Sequence, residues 1–173
     1  MSDQSLVLDF KQAMQELAAS VNIITTCHDE SRNGLTATAV CSLSMEPASM
    51  LVCIHQDVQA LEEIRASGFF CINVLSAEQQ EVSDVFAGRS GARGEQRFQE
   101  AGNWTASQSG APMLDGALAN VVCELQEINE SGTHHICIGH VREVRLNQGS
   151  TPLIYAQQQY GTLADLPEAE KAA

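Results

Sequence analysis

The chain has 173 residues, 44% of them hydrophobic, and a formal net charge of −13 with only 9 Lys and Arg. That length and apolar content predict one globular domain with a real core, and they exclude a disordered chain. The acidic balance excludes nucleic acid and anionic membrane as partners, and no apolar run approaches the roughly 18–20 residues of a membrane-spanning helix.

Residues 1–10 place no basic region before an apolar stretch, so the expected location is cytoplasmic. The six cysteines, Cys27, Cys41, Cys53, Cys71, Cys123 and Cys137, form no CxxC pair and sit in or beside apolar runs. They read as reduced thiols of a cytoplasmic protein, not as a disulfide framework.

In chain order, Leu8–Ala19 has apolar residues at helical spacing, which predicts an amphipathic helix lying on the body of the domain. Val21–Cys27 is β-branched and predicts the first strand. The dipeptide Asn33-Gly34 predicts a hairpin turn. Leu35–Leu43 and Met50–Ile54 then read as two strands on either side of Pro47. Thr36-Ala37-Thr38-Ala39 is unusually small for a core strand. Small residues with hydroxyls let a flat ligand approach the backbone and offer it hydrogen bonds, while the pattern alone favours an ordinary sheet strand with tight cross-strand packing.

Asp57–Ser67 predicts a helix with a carboxylate at its start, ended by Gly68. Phe69–Leu75 is continuously apolar and predicts a strand covered on both faces. Ser76–Phe86 predicts a second helix, with Ser76 and Gln79 as a capping box. Gly88–Gly94 reads as a glycine-rich loop, followed by an irregular stretch to Met113. Leu118–Ile128 and His134–Leu146 predict two long strands, Pro152–Gln158 a last strand, and Asp165–Ala173 an acidic tail. The long hairpin argues for a mainly β antiparallel barrel with peripheral α-helices. The expected organisation is a single domain over 1–173, with its core at about 8–160 and a tail at 161–173.

No Gly-rich dinucleotide fingerprint, P-loop or GxSxG elbow is present. On a strand, His134 and His140 share one face and His135 takes the other, too far apart for one metal, so none is expected. Arg89, Arg93 and Arg97 cluster in one window of an acidic chain. They read either as a phosphate clamp or as solvated cations paired with carboxylates.

The segments FKQAMQELAASVNIITT, GLTATAVCSLSMEPASMLVCI, FFCINVLS, VSDVFAG and GTHHICIGHV occur in that order. Together they resemble the flavin reductase family with the split-barrel, FMN-binding type of fold. The likeness is to the reductase component of two-component 4-hydroxyphenylacetate 3-monooxygenases and to the related reductase of pyrimidine degradation. It spans about Phe10 to Tyr160. The resemblance implies an NAD(P)H:flavin oxidoreductase that reduces FMN or FAD with NADH or NADPH. It also implies a homodimer that supplies reduced flavin to a partner monooxygenase.

By residue, the resemblance places Thr36, Ala37, Thr38, Ala39 and Val40 along the isoalloxazine, with Cys41 and Ser42 just beyond. It places Cys53, Ile54 and His55 on the next flavin-lining strand, Ser83 and Phe86 in an S-x-x-F element, and His134 beside the nicotinamide. Relatives carry Asn and then Ser near the flavin phosphate, where this chain has His55 and Val58 with Asp57 between them. Arg89 or Arg93 is the expected compensating charge. Where relatives end in R-x-[FY]-H, this chain reads Gln158-Gln159-Tyr160-Gly161. That difference motivates the alternatives: a flavin- or haem-binding module without turnover, or a structural subunit of an oxygenase.

Overall fold

The computed structural model describes residues 3–163, and the acidic tail expected at Asp165–Ala173 lies outside them. Helix α1 is Asp3–Gln15, followed by strands β1 (Ala19–Ser20), β2 (Asn22–His28), β3 (Ser31–Ala37), β4 (Val40–Met45) and β5 (Ala48–His55). Then come α2 (Ala60–Ser67), β6 (Phe69–Val74), a 3₁₀ turn at Ala77–Gln79, α3 (Gln80–Phe86) and α4 (Glu95–Glu100). The chain continues through β7 (Trp104–Ala106), β8 (Pro112–Leu114), β9 (Ala119–Ser131), β10 (His134–Leu146), β11 (Leu153–Ala156) and β12 (Gln159–Thr162).

Seven strands form one sheet in the order β3-β2-β6-β9-β10-β5-β4, and its paired registers are antiparallel. Register shifts at Ile138/Gly139, Val141/Glu143 and Ser42/Ser44 bend its strands. Bulges of this kind raise local twist and let a sheet curl. The two edge strands, β3 and β4, are consecutive in the chain, so a link of two residues, Thr38 and Ala39, ties the edges together. The result is a split antiparallel barrel, mainly β with few helices.

Alternation on β2 fills two cores. Ile24 faces inward with Leu35, Val52, Ile54, Phe70 and Ile72, and α2 plugs this interior with Leu61 and Ile64. Ile23 faces outward, under Val85 and Phe86 of α3 and Phe98 of α4. Strand β6 is covered on both faces, as its continuous apolar run predicts: Ile72 lies in the inner core and Cys71 under Met113 of β8. The polar residues between these cores are satisfied among themselves. Asn73 accepts from Asn120 at 2.7 Å and from the Leu114 amide at 2.8 Å, and donates to the Ile23 carbonyl at 3.0 Å.

Several local expectations are corrected. The hairpin between β2 and β3 turns at Asp29-Glu30, both at positive φ, and not at Asn33-Gly34, which lie inside β3. Gly34 is needed for closeness. A Cβ there would sit 2.7 Å from the Ile24 carbonyl oxygen and 2.9 Å from the Phe86 ring. The single strand read over Leu35–Leu43 is broken at Thr38-Ala39. Helix α2 starts three residues after Asp57, whose side chain makes no cap. The Ser76–Phe86 segment begins as a 3₁₀ turn, with the Ser76 amide donating to Gln79 Oε1 at 3.1 Å.

The stretch to Met113 is not irregular but holds α4 and the β7–β8 hairpin, and the C-terminal segment contributes β11 and β12. Helix α1 does not lie on the body: Leu6, Val7, Leu8, Phe10 and Met14 are all exposed. Among the described residues, no helix is long and apolar enough to cross a membrane.

Candidate functional site

The site is built around the link between the sheet's edges. The chain leaves β3 at Ala37, and the Val40 amide donates to the Thr38 carbonyl at 2.9 Å, a γ-turn centred on Ala39. The Ala39 carbonyl accepts from the Cys53 amide at 3.0 Å, which holds this turn against β5. Helix α3 is clamped alongside, because Thr36 Oγ1 donates to the Ser83 carbonyl at 2.7 Å. Gly34, two residues earlier on β3, leaves room for the Phe86 ring of α3 to pass close to the strand.

Between them opens a cleft of about 270 Å³. Thr36, Thr38 and Ser83 line it with hydroxyl-bearing side chains, Val21 and Ala87 with apolar surface, Tyr155 and Tyr160 with aromatic surface, and Arg89 with a cation. A second cleft of about 360 Å³ shares Thr38 and Tyr155 with the first and runs on past Ala39 to Met14 in the last turn of α1 and Leu17 just after it. The two Tyr rings pack edge to face, with centroids 5.2 Å apart.

A polar chain stiffens the first cleft. Ser83 Oγ and the Tyr160 hydroxyl are 2.9 Å apart, and that hydroxyl donates to Asp84 Oδ1 at 3.0 Å. Arg89 Nη1 donates to the same carboxylate oxygen at 2.6 Å, and its guanidinium lies 5.5 Å from the Tyr160 ring centroid. Burial foremost, with the neighbouring Asp84 charge, pushes the Tyr160 phenol above its ordinary range. It therefore stays a neutral donor at pH 7.

The structure brings together Thr36, Thr38, Ser83 and Arg89 in the first cleft, and Thr38 and Ala39 in the second. Other residues singled out in the sequence go elsewhere. Ala37 and Ile54 are buried in the inner core, and Phe86 in the outer one against Phe98 and Trp104. Val40 packs on the barrel core, Cys53 is half-buried on β5, and Cys41 and Ser42 are exposed on β4. Arg93 is exposed and lines neither cleft with Arg89. Arg97 is structural, donating to the carbonyls of Ala92 at 3.0 Å and Gly34 at 2.7 Å.

His134 sits opposite His55 across β10 and β5, with ring centroids 5.0 Å apart and planes at 86°. The Asp57 amide donates to His55 Nδ1 at 3.2 Å, and Thr133 Oγ1 lies 3.0 Å from His134 Nδ1. This imidazole pair lies outside both clefts. Among the described residues, no group of three or more His, Cys, Asp or Glu is arranged to hold a metal ion.

Sequence reasoning missed Asp84, Tyr155 and the cleft role of Tyr160. The available signal was two aromatic residues at period five in an otherwise aromatic-poor chain, close to the C-terminal end.

The family described as flavin reductase like domain matches residues 14–164. The chain is 40% identical over 156 residues to the FMN reductase (NADH) RutF of Agrobacterium fabrum, covering 90% of this chain and 88% of that one. It is 39% identical over 153 residues to the 4-hydroxyphenylacetate 3-monooxygenase reductase component of Salmonella dublin, covering 88% and 89%. Among solved structures, the flavin reductase PheA2 superposes with a TM-score of 0.83 at 29% identity, covering 95% of this chain and 100% of that one. BorF, the flavin reductase component of a bacterial two-component tryptophan halogenase, superposes with a TM-score of 0.84 at 28% identity, covering 92% and 99%. By family match, by sequence and by fold, the chain belongs to the flavin reductase like domain family.

Proposed function

We propose that this chain is a cytoplasmic NAD(P)H-dependent flavin reductase that uses FMN or FAD as a diffusible substrate and hands reduced flavin to a monooxygenase. The observation that carries the reading is the cleft at the edge-to-edge link. It combines small hydroxyl-bearing residues, two aromatic rings and one cation, which suits a flat heteroaromatic ligand bearing a phosphate. The names of the relatives, an NADH-dependent FMN reductase and a monooxygenase reductase component, support the same chemistry.

The chemistry is hydride transfer from a nicotinamide to a flavin, which needs stacked rings about 3–3.5 Å apart and little acid–base help. The chain's part is to hold and orient. Thr36, Thr38 and Ser83 supply hydroxyls, Tyr155 and Tyr160 supply apolar walls, and Arg89 supplies charge toward the phosphate. His134, paired with His55, positions the nicotinamide. The whole chain acts as one domain and works as a homodimer, the exposed apolar residues of α1 and β4 meeting a second copy.

The test is to mix the purified protein with NADH and free FMN and to follow the NADH absorbance band. Flavin-dependent consumption is expected. Flavin binding without consumption would favour a module without turnover, consistent with Gln158 and Gly161 standing where relatives carry Arg and His. In His134→Ala, flavin affinity should stay nearly constant while kcat/KM for NADH falls. An unaltered rate with NADH would remove His134 from its assigned role.

A further inference from the structure

We propose that Asp84 weakens the hold of this chain on the flavin phosphate by competing for Arg89, so that it sets how strongly phosphorylated flavins are preferred. The inference rests on the flavin reading given above.

Arg89 is the cation that lines the first cleft, and its strongest partner is already the chain's own carboxylate: Arg89 Nη1 to Asp84 Oδ1 is 2.6 Å. Asp84 cannot easily swing aside. It projects from α3, and the same oxygen accepts the Tyr160 hydroxyl at 3.0 Å. That hydroxyl lies 2.9 Å from the buried Ser83 Oγ. Arg89 is the more exposed member, with its side chain 54% exposed against 32% for Asp84. A guanidinium offers five N–H donors in a planar fork, so it can serve a carboxylate and a phosphate together. The phosphate must then bind beside a fixed negative charge, in a chain whose net charge is already −13.

This geometry suits a ligand that is in transit. A free arginine would anchor the phosphate and slow the departure of reduced flavin, since affinity differences appear mostly in off-rates. Asp84 leaves the flavin's orientation to the hydroxyl and aromatic walls and lets the phosphate go.

The experiment is a binding comparison of FMN and riboflavin by flavin fluorescence, with the whole chain. Asp84→Asn removes the charge and keeps an acceptor for Tyr160. FMN should bind about five- to tenfold tighter, while riboflavin moves less than about twofold. Adding Arg89→Ala to Asp84→Asn should abolish that gain, and Arg89→Ala alone should cost FMN less than it does in the Asp84→Asn background. Asp84→Ser, which also removes the charge, must reproduce the gain and serves if Asp84→Asn fails to fold. Unchanged FMN binding, or equal shifts for both flavins, overturns the competition but leaves the flavin reading standing. Binding of neither flavin by the natural chain overturns both.

Discussion

Strand β6 and strand β4 belong to the same sheet, yet they live in different surroundings. Phe70 and Ile72 of β6 are fully buried in the inner core, and Cys71 is fully buried on the other face. On β4, Leu43 and Met45 are exposed, Met45 to 84%, and the apolar residues of α1 are exposed with them. The difference teaches where this chain finishes its own packing and where it leaves apolar surface uncovered. Buried strands define the barrel, while β4 and α1 carry the apolar side chains that the barrel does not cover.

The largest expected effect breaks the finished side. Phe70→Ala removes a fully buried ring that packs against Gly139, where an added Cβ would come within 2.7 Å of both Phe70 and Cys123. It should cost about 3–5 kcal/mol, read from the urea midpoint at unchanged slope. A loss below about 1 kcal/mol would mean that the core collapses to fill the hole.

Alkali sharpens the same contrast. Burial pushes the Cys123 thiol up to about 12 and the Cys137 thiol up to about 11, from an ordinary 9.0. Cys71, still more deeply buried, is raised further. A thiol with a raised folded pKa contributes its full stability below pH 9. Above that the unfolded chain releases protons that the folded chain retains, so stability falls as pH rises toward the folded values. At pH 10 each such thiol should have lost about 1 kcal/mol. Cys137→Ala should flatten the decline in denaturant midpoint between pH 8 and pH 10.

The smallest effect on stability belongs to the open side. Phe10→Glu on α1 should change unfolding of the protomer by no more than about 0.5 kcal/mol. In light scattering it should shift the protein from dimer toward monomer at micromolar concentration. A monomeric natural chain, or a variant that stays dimeric, would break the comparison, since the exposed apolar helix would then need another occupant.

The elements with strong periodicity were legible in the sequence: β2, β6, the long β9–β10 hairpin and α2. The turn at Asp29-Glu30 was not, because Asn33-Gly34 carries the stronger local turn signal. The demand that makes Gly34 a glycine, close passage of Phe86, is tertiary. Helix α1 was legible as a helix but not as uncovered, since amphipathicity reports that a face needs a partner and not which molecule supplies it. In the site, Thr36 and Thr38 were findable by their small size and hydroxyls. Strand alternation sends Ala37 to the core between them, and only its pairing with Asn22 on β2 reveals which face is which. Asp84 falls at an unspecified position of the S-x-x-F element; it matters because α3, β12 and the loop after α3 bring Tyr160 and Arg89 to one oxygen.

The link through Thr38 and Ala39 has a mechanical consequence. Two residues span the gap between the first and last strands of a seven-stranded sheet, so this tie has no slack. A ligand resting on a long loop can be admitted by moving the loop alone. Here the floor of the cleft is a taut buckle, and its width follows the curl of the whole sheet. Distant substitutions that alter the bulges at Ile138/Gly139 or Ser42/Ser44 therefore reach the cleft by changing that curl, without touching a residue that lines it.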